Sequence, residues 1–327
     1  KKMFFYLLSI LSVVAALQPI MVRQDSAKAQ FKSFIEQYDK QYTNDEYGSR
    51  YQAFMSNLEI IEQLNQNNIE RGLGSAYGVN EFADLTPQEF DSMYKGYKKI
   101  DLGDAPVFDA STVAVDAIPA SFSWKSKGAV TPIKNQGQCG SCWAFSTTEG
   151  VESAWFLAGN SLPTLAPQQI VDCDKSCYGC GGGDLPPAFK YVEANGLEAE
   201  SDYPYDARNG PCKYNAQDVV AHMKSWGYAT QSKNETQMQA ASVQHGPLSI
   251  CVDASSWQFY TGGIITSNCG QQLDHCVQIT GWGSSSGTPY WEVRNSWGTS
   301  WGESGYLQVE RNQDLCGIAD EATYVIG

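Results

Sequence analysis

The chain contains 327 residues, of which 42% are hydrophobic and 18% are charged. This balance is typical of a globular protein, and the length suggests about two domains. Its 22 Lys and Arg residues stand against 36 Asp and Glu residues, which gives a net charge of −14. Such an acidic surface repels phosphates and therefore argues against a nucleic-acid-binding protein.

The first residues have the pattern of a secretory signal peptide. Lys1 and Lys2 supply a positive start, and an apolar run extends from Met3 to Leu17. At about 15 residues this run is short for a bilayer span. We therefore predict a signal peptide at residues 1–17 and entry into the secretory pathway, with no membrane span in the mature protein.

The ten cysteines are distributed unevenly. All of them lie between Cys139 and Cys316, and none precedes Cys139. Because cysteines in the secretory pathway are usually oxidised to disulfides, the back of the chain is predicted to be crosslinked. The asymmetry indicates a removable pro-segment that precedes a durable mature domain.

A helical pattern occupies the front segment. Six residues spaced three or four apart share one helix face: Glu46, Arg50, Phe54, Asn57, Ile61 and Asn65. Their mixture of charged, amide and apolar groups is unusual for a core stripe and indicates a face that contacts another segment specifically. Thr86, Pro87 and Glu89 then form the pattern of a helix start with a capping box. Residues 98–117 lack periodicity and are predicted to form an exposed linker in which cleavage occurs.

The segment from Gln136 to Trp143 combines a polar amide with two closely spaced cysteines, Cys139 and Cys142. Helical periodicity begins directly after Cys142, so this cysteine is predicted to lie at a helix N-terminus, where the partial positive charge favours a thiolate. A helix N-terminus and a neighbouring imidazolium can lower a thiol pKa to roughly 3.5–7.5.

The sequence also supplies a base and an orienting group for Cys142. His275 is one of three histidines and lies in an alternating, strand-like run, while Asn295 begins an Asn-Ser-Trp-Gly sequence. A histidine can take the thiol proton and return it to a leaving amine. An amide oxygen can accept the second imidazole N–H and hold the ring in place.

Two other chemistries are compatible with the cysteine spacing. Cys139 and Cys142 form a C-x-x-C redox pattern, although the Trp follows the second cysteine instead of preceding the first. Part of a zinc-ligand spacing is present in Cys173, Cys177 and Cys180, but no histidine is nearby. Both interpretations are weaker than the catalytic one, and no metal or other cofactor is expected.

Together these motifs resemble the papain-like cysteine proteases. The six-residue face matches the ERFNIN motif of cathepsin L-like propeptides at every position, and the segment from Gly78 to Asp84 matches their second motif, Gly-x-Asn-x-Phe-x-Asp. The resemblance covers about residues 31–327 and implies a zymogen with an inhibitory propeptide at 28–117 and a peptidase domain at 118–327. It also implies an α+β fold of two lobes, one mainly helical and one a β-barrel, with a cleft between them.

The resemblance implies a role for each candidate residue. Cys142 would attack the substrate, His275 would exchange the proton, Asn295 would orient the imidazole, and Trp297 would shield their hydrogen bond. Gln136 would donate to the oxyanion beside the backbone N–H of Cys142. No insertion resembles the occluding loop of cathepsin B or the mini-chain of cathepsin H, so an endopeptidase with an open cleft is expected.

Three disulfides are implied by the resemblance: Cys139–Cys180, Cys173–Cys212 and Cys269–Cys316. The remaining Cys177, Cys251 and Cys276 depart from the commonest pattern. Cys251 and Cys276 align with the wall of the S2 pocket and are expected to be neighbours, either bonded or as two buried thiols. Cys177 is then unpaired or forms an intermolecular bond.

The resemblance also implies the substrate path. Gly182 and Gly183 match glycines whose backbone pairs with an extended substrate, and Asp184 and Leu185 follow on the pocket rim. Glu321 aligns with the bottom of S2, where a carboxylate would admit Arg as well as hydrophobic side chains. The alternative is that Glu321 points to solvent.

Expected partners are protein and peptide substrates, the chain's own propeptide as an intramolecular inhibitor, and cystatin-type inhibitors. The mature enzyme is expected to be a monomer in a lysosome, a vacuole or the extracellular space. Two other classes remain open: a secreted binding protein with an inactive protease fold, and a peptide ligase that favours amines over water. Asn234 begins one glycosylation sequon.

Overall fold

The computed structural model describes residues 26–103 and 105–327, without the side chains of Asn67 and Val115. The signal peptide predicted at 1–17 lies outside the described residues. Within the described ranges the chain has an α+β fold, in which helices precede and flank one large sheet.

The front of the chain is helical. Its helices are α1 over residues 26–37, α2 over Asn44–Glu70 and α3 over Pro87–Tyr94. Phe31 and Phe34 of α1 pack against Phe54 of α2 in a buried aromatic cluster. These two helices therefore share a small core that is separate from the main hydrophobic clusters of the later part of the chain.

The mixed face of α2 contacts the segment that follows the helix, as the sequence predicts. The side-chain amide of Asn57 donates to the carbonyls of Ala83 and Leu85 at 2.8 and 2.7 Å. Asn65 donates to the carbonyl of Tyr77 at 2.7 Å and accepts from its N–H at 3.0 Å. These amides satisfy backbone groups that have no secondary-structure partner.

Reciprocal hydrogen bonds cap α2 and α3. The capping box predicted at Thr86 and Glu89 is confirmed at the start of α3. Glu46 differs from the prediction, because its carboxylate accepts from the backbone N–H of Thr43 at 2.9 Å while its own N–H donates to the Thr43 hydroxyl. Glu46 is exposed and therefore caps α2 instead of contacting a second segment.

The linker predicted as exposed is partly docked, so that prediction is wrong for its middle. Phe108 is buried, and its N–H donates to the carbonyl of Tyr228 at 2.8 Å. Its ring packs edge-on against His245 and Tyr324. The burial of one aromatic side chain holds this part of the linker against the protein although the surrounding residues are polar.

The part of the chain that follows the linker begins with a helical lobe. Its helices are α4 over Cys142–Leu157, α5 over Pro167–Cys173 and α6 over Leu185–Asn195. α4 is buried over most of its length, since α5 and α6 pack on one side and the sheet packs on the other. A helix that is covered all round needs no narrow apolar stripe, and this explains its mixed sequence pattern.

The second lobe is built on a sheet of eight strands. The strands of the chain are β1 Phe122–Ser123, β2 Leu197–Glu198, β3 Val219–Ala221, β4 Ser225–Thr230, β5 Leu248–Val252, β6 Ile264–Ile265, β7 His275–Ser285, β8 Thr288–Arg294, β9 Tyr306–Glu310 and β10 Glu321–Ile326. The sheet order is β4-β10-β5-β7-β8-β9-β6, with β1 paired to β7, and β2 pairs with β3 separately. Helix α7, Glu235–His245, packs on β4 and β10.

Buried charges join the two lobes. The guanidinium of Arg294 in β8 lies 3.4 Å from the carboxylate of Glu149 in α4, and Lys134 lies 3.0 Å from Glu152 of the same helix. All four side chains are buried. The Arg294–Glu149 pair links β8 of the sheet to α4, and burial raises the pKa of Glu149 to about 7, so this carboxyl is only partly charged at neutral pH.

The structure contains four disulfides among the ten cysteines. Three are the pairs implied by the resemblance: Cys139–Cys180, Cys173–Cys212 and Cys269–Cys316. Cys251 and Cys276, which the sequence left open, are bonded to each other across β5 and β7. Cys142 and Cys177 are free and buried.

This pattern predicts two reactive thiols in the unfolded, unreduced chain. Alkylation in denaturant without reductant, followed by peptide mass spectrometry, should label Cys142 and Cys177 and leave the linked peptides of Cys251 and Cys276 unlabelled. Fully reduced protein, in which all ten cysteines react, is the control. A crosslink from Cys177 to either of the other two would contradict the assignment.

Candidate active site

The candidate catalytic residues come from three elements that meet between the lobes. Cys142 is the first residue of α4, His275 is the first residue of β7, and Asn295 follows the end of β8. All three are fully buried. The Cys142 thiol accepts a hydrogen bond from the N–H of Cys276, the residue after His275. The folding of α4 against β7 therefore brings the sequence-distant candidates together.

Asn295 and Trp297 hold the imidazole of His275. Nε2 of His275 lies 2.8 Å from Oδ1 of Asn295, and the ring stacks on Trp297 with centroids 4.6 Å apart. Within the described chain the other ring nitrogen, Nδ1, is buried and has no hydrogen-bond partner. An Nε2–H donated to Asn295 leaves Nδ1 as the nitrogen that can exchange a proton.

Gln136 presents its amide nitrogen toward the cleft. Nε2 donates to the carbonyls of Cys139 and Tyr94 at 2.9 and 3.0 Å, and Oε1 accepts from the hydroxyl of Ser296 at 2.7 Å. The Ser296 hydroxyl thus orients the amide of Gln136. Reasoning from the sequence missed Ser296, although it lies between Asn295 and the tryptophan of the same motif.

The front segment crosses the cleft as an extended chain. Gly183 donates to the carbonyl of Gly96 and accepts from the N–H of Lys98, both at 2.9 Å, in a parallel pairing. A Cβ atom at Gly182 would lie 2.6 Å from the carbonyl oxygen of Gly96. The two glycines predicted to pair with substrate are therefore occupied by the chain's own front segment.

Asp274 also binds the front segment, a contact that the sequence analysis did not predict. Its backbone carbonyl accepts from the N–H groups of Gly96 and Tyr97 at 3.1 and 3.0 Å. Its carboxylate lies 2.8 Å from the ammonium group of Lys95, which also pairs with Asp91 at 2.7 Å. The residue that precedes His275 therefore anchors the front segment through both main chain and side chain.

The residues assigned to S2 lie together. Glu321 pairs with Cys251 across β10 and β5, and the carboxylate oxygens of Asp184 and Glu321 and the sulfur of Cys251 lie within 4.8 Å of one another. The hydroxyl of Tyr97 donates to Glu321 at 2.7 Å. Glu321 is buried, so it does not point to solvent in this structure. Leu185 is fully buried in the same hydrophobic cluster as Cys251 and Cys276.

Burial keeps the candidate catalytic pair neutral while the front segment covers it. Burial raises the pKa of the Cys142 thiol to about 12 and lowers the pKa of His275 to about 3. At neutral pH the thiol therefore keeps its proton and the imidazole is uncharged. Burial and the neighbouring Asp184 carboxyl also raise the pKa of Glu321, to about 9.

Comparison with known proteins agrees with this geometry. Residues 118–326 match the model of the papain family of cysteine proteases, and residues 31–90 match the cathepsin propeptide inhibitor domain. The chain is 39% identical to cysteine proteinase 1 of Dictyostelium discoideum over 340 aligned residues, covering 98% of each protein. It is 41% identical to digestive cysteine proteinase 1 of Homarus americanus, covering 91% of this chain and 95% of that relative.

Solved structures of proenzymes share the fold. Digestive procathepsin L 3 of Tenebrio molitor larval midgut has a TM-score of 0.82 at 34% identity, and recombinant stem bromelain precursor has 0.82 at 35%. Each match covers 92% of this chain and 99% of the other. The chain belongs to the papain family of cysteine proteases. It is a cysteine protease zymogen that carries its own inhibitory propeptide.

Within the described residues, no helix combines the length and the apolar composition needed to cross a bilayer.

The raised thiol pKa predicts that Cys142 is latent in the intact zymogen. At pH 7 a thiol-alkylating reagent should modify Cys142 very slowly, because the thiolate is the reacting form, and removal of the propeptide should accelerate the reaction strongly. Cys177, whose pKa burial also raises, is the internal comparison and should react slowly in both forms. Equal rates at Cys142 before and after activation would contradict this expectation.

Proposed function

We propose that the mature enzyme is an endopeptidase that cleaves protein and peptide substrates through a thioester intermediate. The observation that carries the proposal is the contact of Cys142, at the start of α4, with the N–H of Cys276. Cys276 directly follows His275, whose ring is held by Asn295 and Trp297. A helix N-terminus and a nearby imidazole are the two features that activate a thiol nucleophile.

The proposed reaction begins with transfer of the Cys142 proton to Nδ1 of His275. The thiolate attacks the carbonyl carbon of the scissile peptide, and the oxyanion accepts hydrogen bonds from Nε2 of Gln136 and from the N–H of Cys142. When the C–N bond breaks, the imidazolium gives its proton to the leaving amine and a thioester remains. Water then attacks the thioester, and His275 carries the water proton back to the sulfur.

The propeptide supports the assignment of Gln136. In the zymogen, the carbonyl oxygen of Tyr94 accepts hydrogen bonds from Nε2 of Gln136 and from Nε1 of Trp297, at 3.0 and 3.1 Å. A peptide carbonyl therefore already lies against the amide that would stabilise the oxyanion. Departure of the propeptide frees this donor and opens the cleft to water and substrate.

Replacement of Cys142 and Gln136 tests these roles. Cys142→Ala should abolish hydrolysis of a fluorogenic peptide amide, and Gln136→Ala should lower kcat by about 10²–10³-fold, because one oxyanion donor is lost. Gln138→Ala, an exposed neighbour, is the matched control and should retain full activity. Activity that survives Cys142→Ala would overturn the proposal.

Hydrolysis and transfer share the same thioester, so product analysis must separate them. We expect the hydrolysed acid to dominate when a substrate is incubated with a millimolar amine acceptor. A product that is mostly the new amide would instead indicate a peptide ligase. A protein that is never titrated by a thiolate-trapping epoxide after activation would be a binding protein with an inactive protease fold.

We also propose a cellular route and a destination for the protein. The N-terminal pattern and four disulfides support maturation in the secretory pathway, with a lysosome, a vacuole or the extracellular space as the destination. We propose that the signal peptide spans residues 1–17, the propeptide residues 28–117 and the mature peptidase domain residues 118–327. Because the chain resembles papain-like proteases, we also propose that cystatin-type inhibitors bind the mature enzyme and that this enzyme is a monomer.

Acid is proposed to promote release of the propeptide. Asp84 is buried and accepts from the ammonium of Lys40 at 3.0 Å and from the hydroxyl of Tyr42 at 2.7 Å. Loss of the Asp84 charge would leave Lys40 without its partner and weaken the packing of the connection between α1 and α2 against residues 78–84.

Processing of purified zymogen should therefore be faster in acid than at neutral pH, and Asp84→Asn should process at neutral pH faster than the wild type. Gel analysis over time measures both. Asp45→Asn, an exposed carboxylate at the start of α2, is the control. Fastest processing at neutral pH in the wild type would contradict the role of Asp84.

We further propose that the S2 pocket accepts hydrophobic side chains and arginine. Glu321 lies at its base, and Gly182, Gly183, Asp184 and Leu185 form its rim. The ring of Tyr97 supports an aromatic side chain at P2, because its hydroxyl reaches Glu321. Tyr97 follows Gly96 in the chain, whereas a P2 residue precedes the scissile bond, so the propeptide would run opposite to a substrate.

A further inference from the structure

We propose that the mature enzyme carries a peptide-binding surface outside the cleft, on the edge strand β4 and the adjoining helix α7. In the zymogen this surface holds residues 106–112 of the linker. The occupant that we assign to it in the mature enzyme is an extended segment of a protein substrate that carries an aromatic side chain. The inference rests on the proposed endopeptidase function and adds a site of substrate recognition to it.

The linker binds β4 in the manner of an additional strand. β4 stands at one end of the sheet order, so its outer edge presents backbone groups for pairing. The N–H of Phe108 donates to the carbonyl of Tyr228 at 2.8 Å, and the N–H of Tyr228 donates to the carbonyl of Pro106 at 2.8 Å. These two bonds form a parallel bridge between Val107 and Tyr228. Main-chain pairing at a sheet edge binds an extended peptide, and a neighbouring pocket then supplies the specificity.

A glycine in β4 lets the backbone of the bound segment approach closely. A Cβ atom at Gly227 would lie 2.7 Å from the carbonyl oxygen of Pro106 and 2.6 Å from the hydroxyl oxygen of Tyr324. A glycine inside a strand weakens the strand, and such a position often marks a site where another backbone comes close. Gly227 and Tyr324 both follow the linker in the chain, so this space remains when the linker leaves.

A pocket beside the edge strand selects an aromatic side chain. The ring of Phe108 packs edge-on against His245 and Tyr324, with centroids 5.7 and 6.2 Å away, and Phe108 is 5% exposed. The rings of His245 and Tyr324 stack on each other at 4.4 Å and form one wall of the pocket. The side-chain amide of Gln237 donates to the carbonyl of Phe108 at 2.7 Å. The pocket therefore recognises an aromatic ring together with the main-chain carbonyl of the same residue.

The path of the linker connects this surface to the cleft. The chain leaves Glu321 at Tyr97, and Phe108 enters the pocket eleven residues further along. Because a substrate would run opposite to the propeptide, the substrate residues that precede P2 would follow this path. A protein substrate is long enough to fill the cleft and the surface together, whereas a short peptide is not. Two linked contacts bind more tightly than either contact alone, because the second binding step is intramolecular.

The test compares two substrates of enzyme activated from the full-length zymogen. One is an unfolded, carboxymethylated protein, and the other is a short fluorogenic peptide amide that does not reach β4. His245→Ala and Gln237→Ala should each lower kcat/KM for the protein by about threefold or more, because each removes one contact to the bound segment. Values of kcat/KM for the amide should remain those of the wild type, which also shows that the variants are folded.

His222→Ala is the matched control, because it removes an exposed histidine that lies beside Gly196 and outside this surface. It should leave the cleavage of both substrates unchanged. If His245→Ala and Gln237→Ala cleave the protein as fast as this control does, the inference is wrong. A wild type that cleaves neither substrate would instead overturn the proposed protease function.

Direct binding provides a second measurement. A fluorescent peptide of residues 105–113 is titrated onto activated enzyme whose Cys142 has been blocked with a thiolate-trapping epoxide, so that the peptide is not cleaved. We expect a saturable rise in anisotropy, and binding about tenfold weaker or less for the same peptide with Phe108→Ala, because the aromatic anchor is lost. No binding, or equal binding of the two peptides, would contradict the surface. Specific binding in an enzyme whose protein cleavage is insensitive to His245→Ala and Gln237→Ala would show that the surface serves only to anchor the linker, and would overturn the assigned occupant.

Discussion

Gly96 of the propeptide and Gly140, two residues before Cys142, meet where the propeptide crosses the cleft. The crossing is this close because neither glycine carries a side chain. A Cβ atom at Gly96 would lie 2.0 Å from the carbonyl oxygen of Gly140, a distance that no side chain tolerates. The contacts on either side depend on this crossing. The carbonyl of Tyr94 meets Gln136 before it, and Tyr97 enters the pocket beyond it. The absence of a side chain at Gly96 therefore determines which propeptide residues face Gln136 and Glu321.

The crossing segment does not need to bind strongly by itself, because the propeptide is anchored elsewhere. Arg71, at the end of α2, makes two hydrogen bonds to the carboxylate of Glu310, at 2.9 and 3.1 Å. Asn68 donates to the carbonyl of Ile264 nearby. These contacts lie on the sheet lobe, away from Cys142. Distant anchors reduce the entropy that the extended segment loses on binding, since its ends are already held.

Much of this structure could be predicted from the sequence, and the failures have physical causes. The face of α2 follows from helical periodicity, and Asn57 makes the contacts expected of it. Phe108 could not be placed, because local polarity around it indicated a loop while a distant pocket buried it. Ser296 was missed since its role depends on the amide of a residue 160 positions away. The bond between Cys251 and Cys276 required knowledge of strand register.

The bond between Cys251 and Cys276 also has a mechanical meaning. It ties β5 to the residue that follows His275, and β5 pairs in turn with the strand that begins at Glu321. His275 and Glu321, for which we propose proton transfer and the base of S2, are therefore connected through β5, by a disulfide to β7 and by strand pairing to β10. One disulfide and one strand pairing would thus hold the proposed base of S2 at a constant distance from the start of β7 when the propeptide leaves.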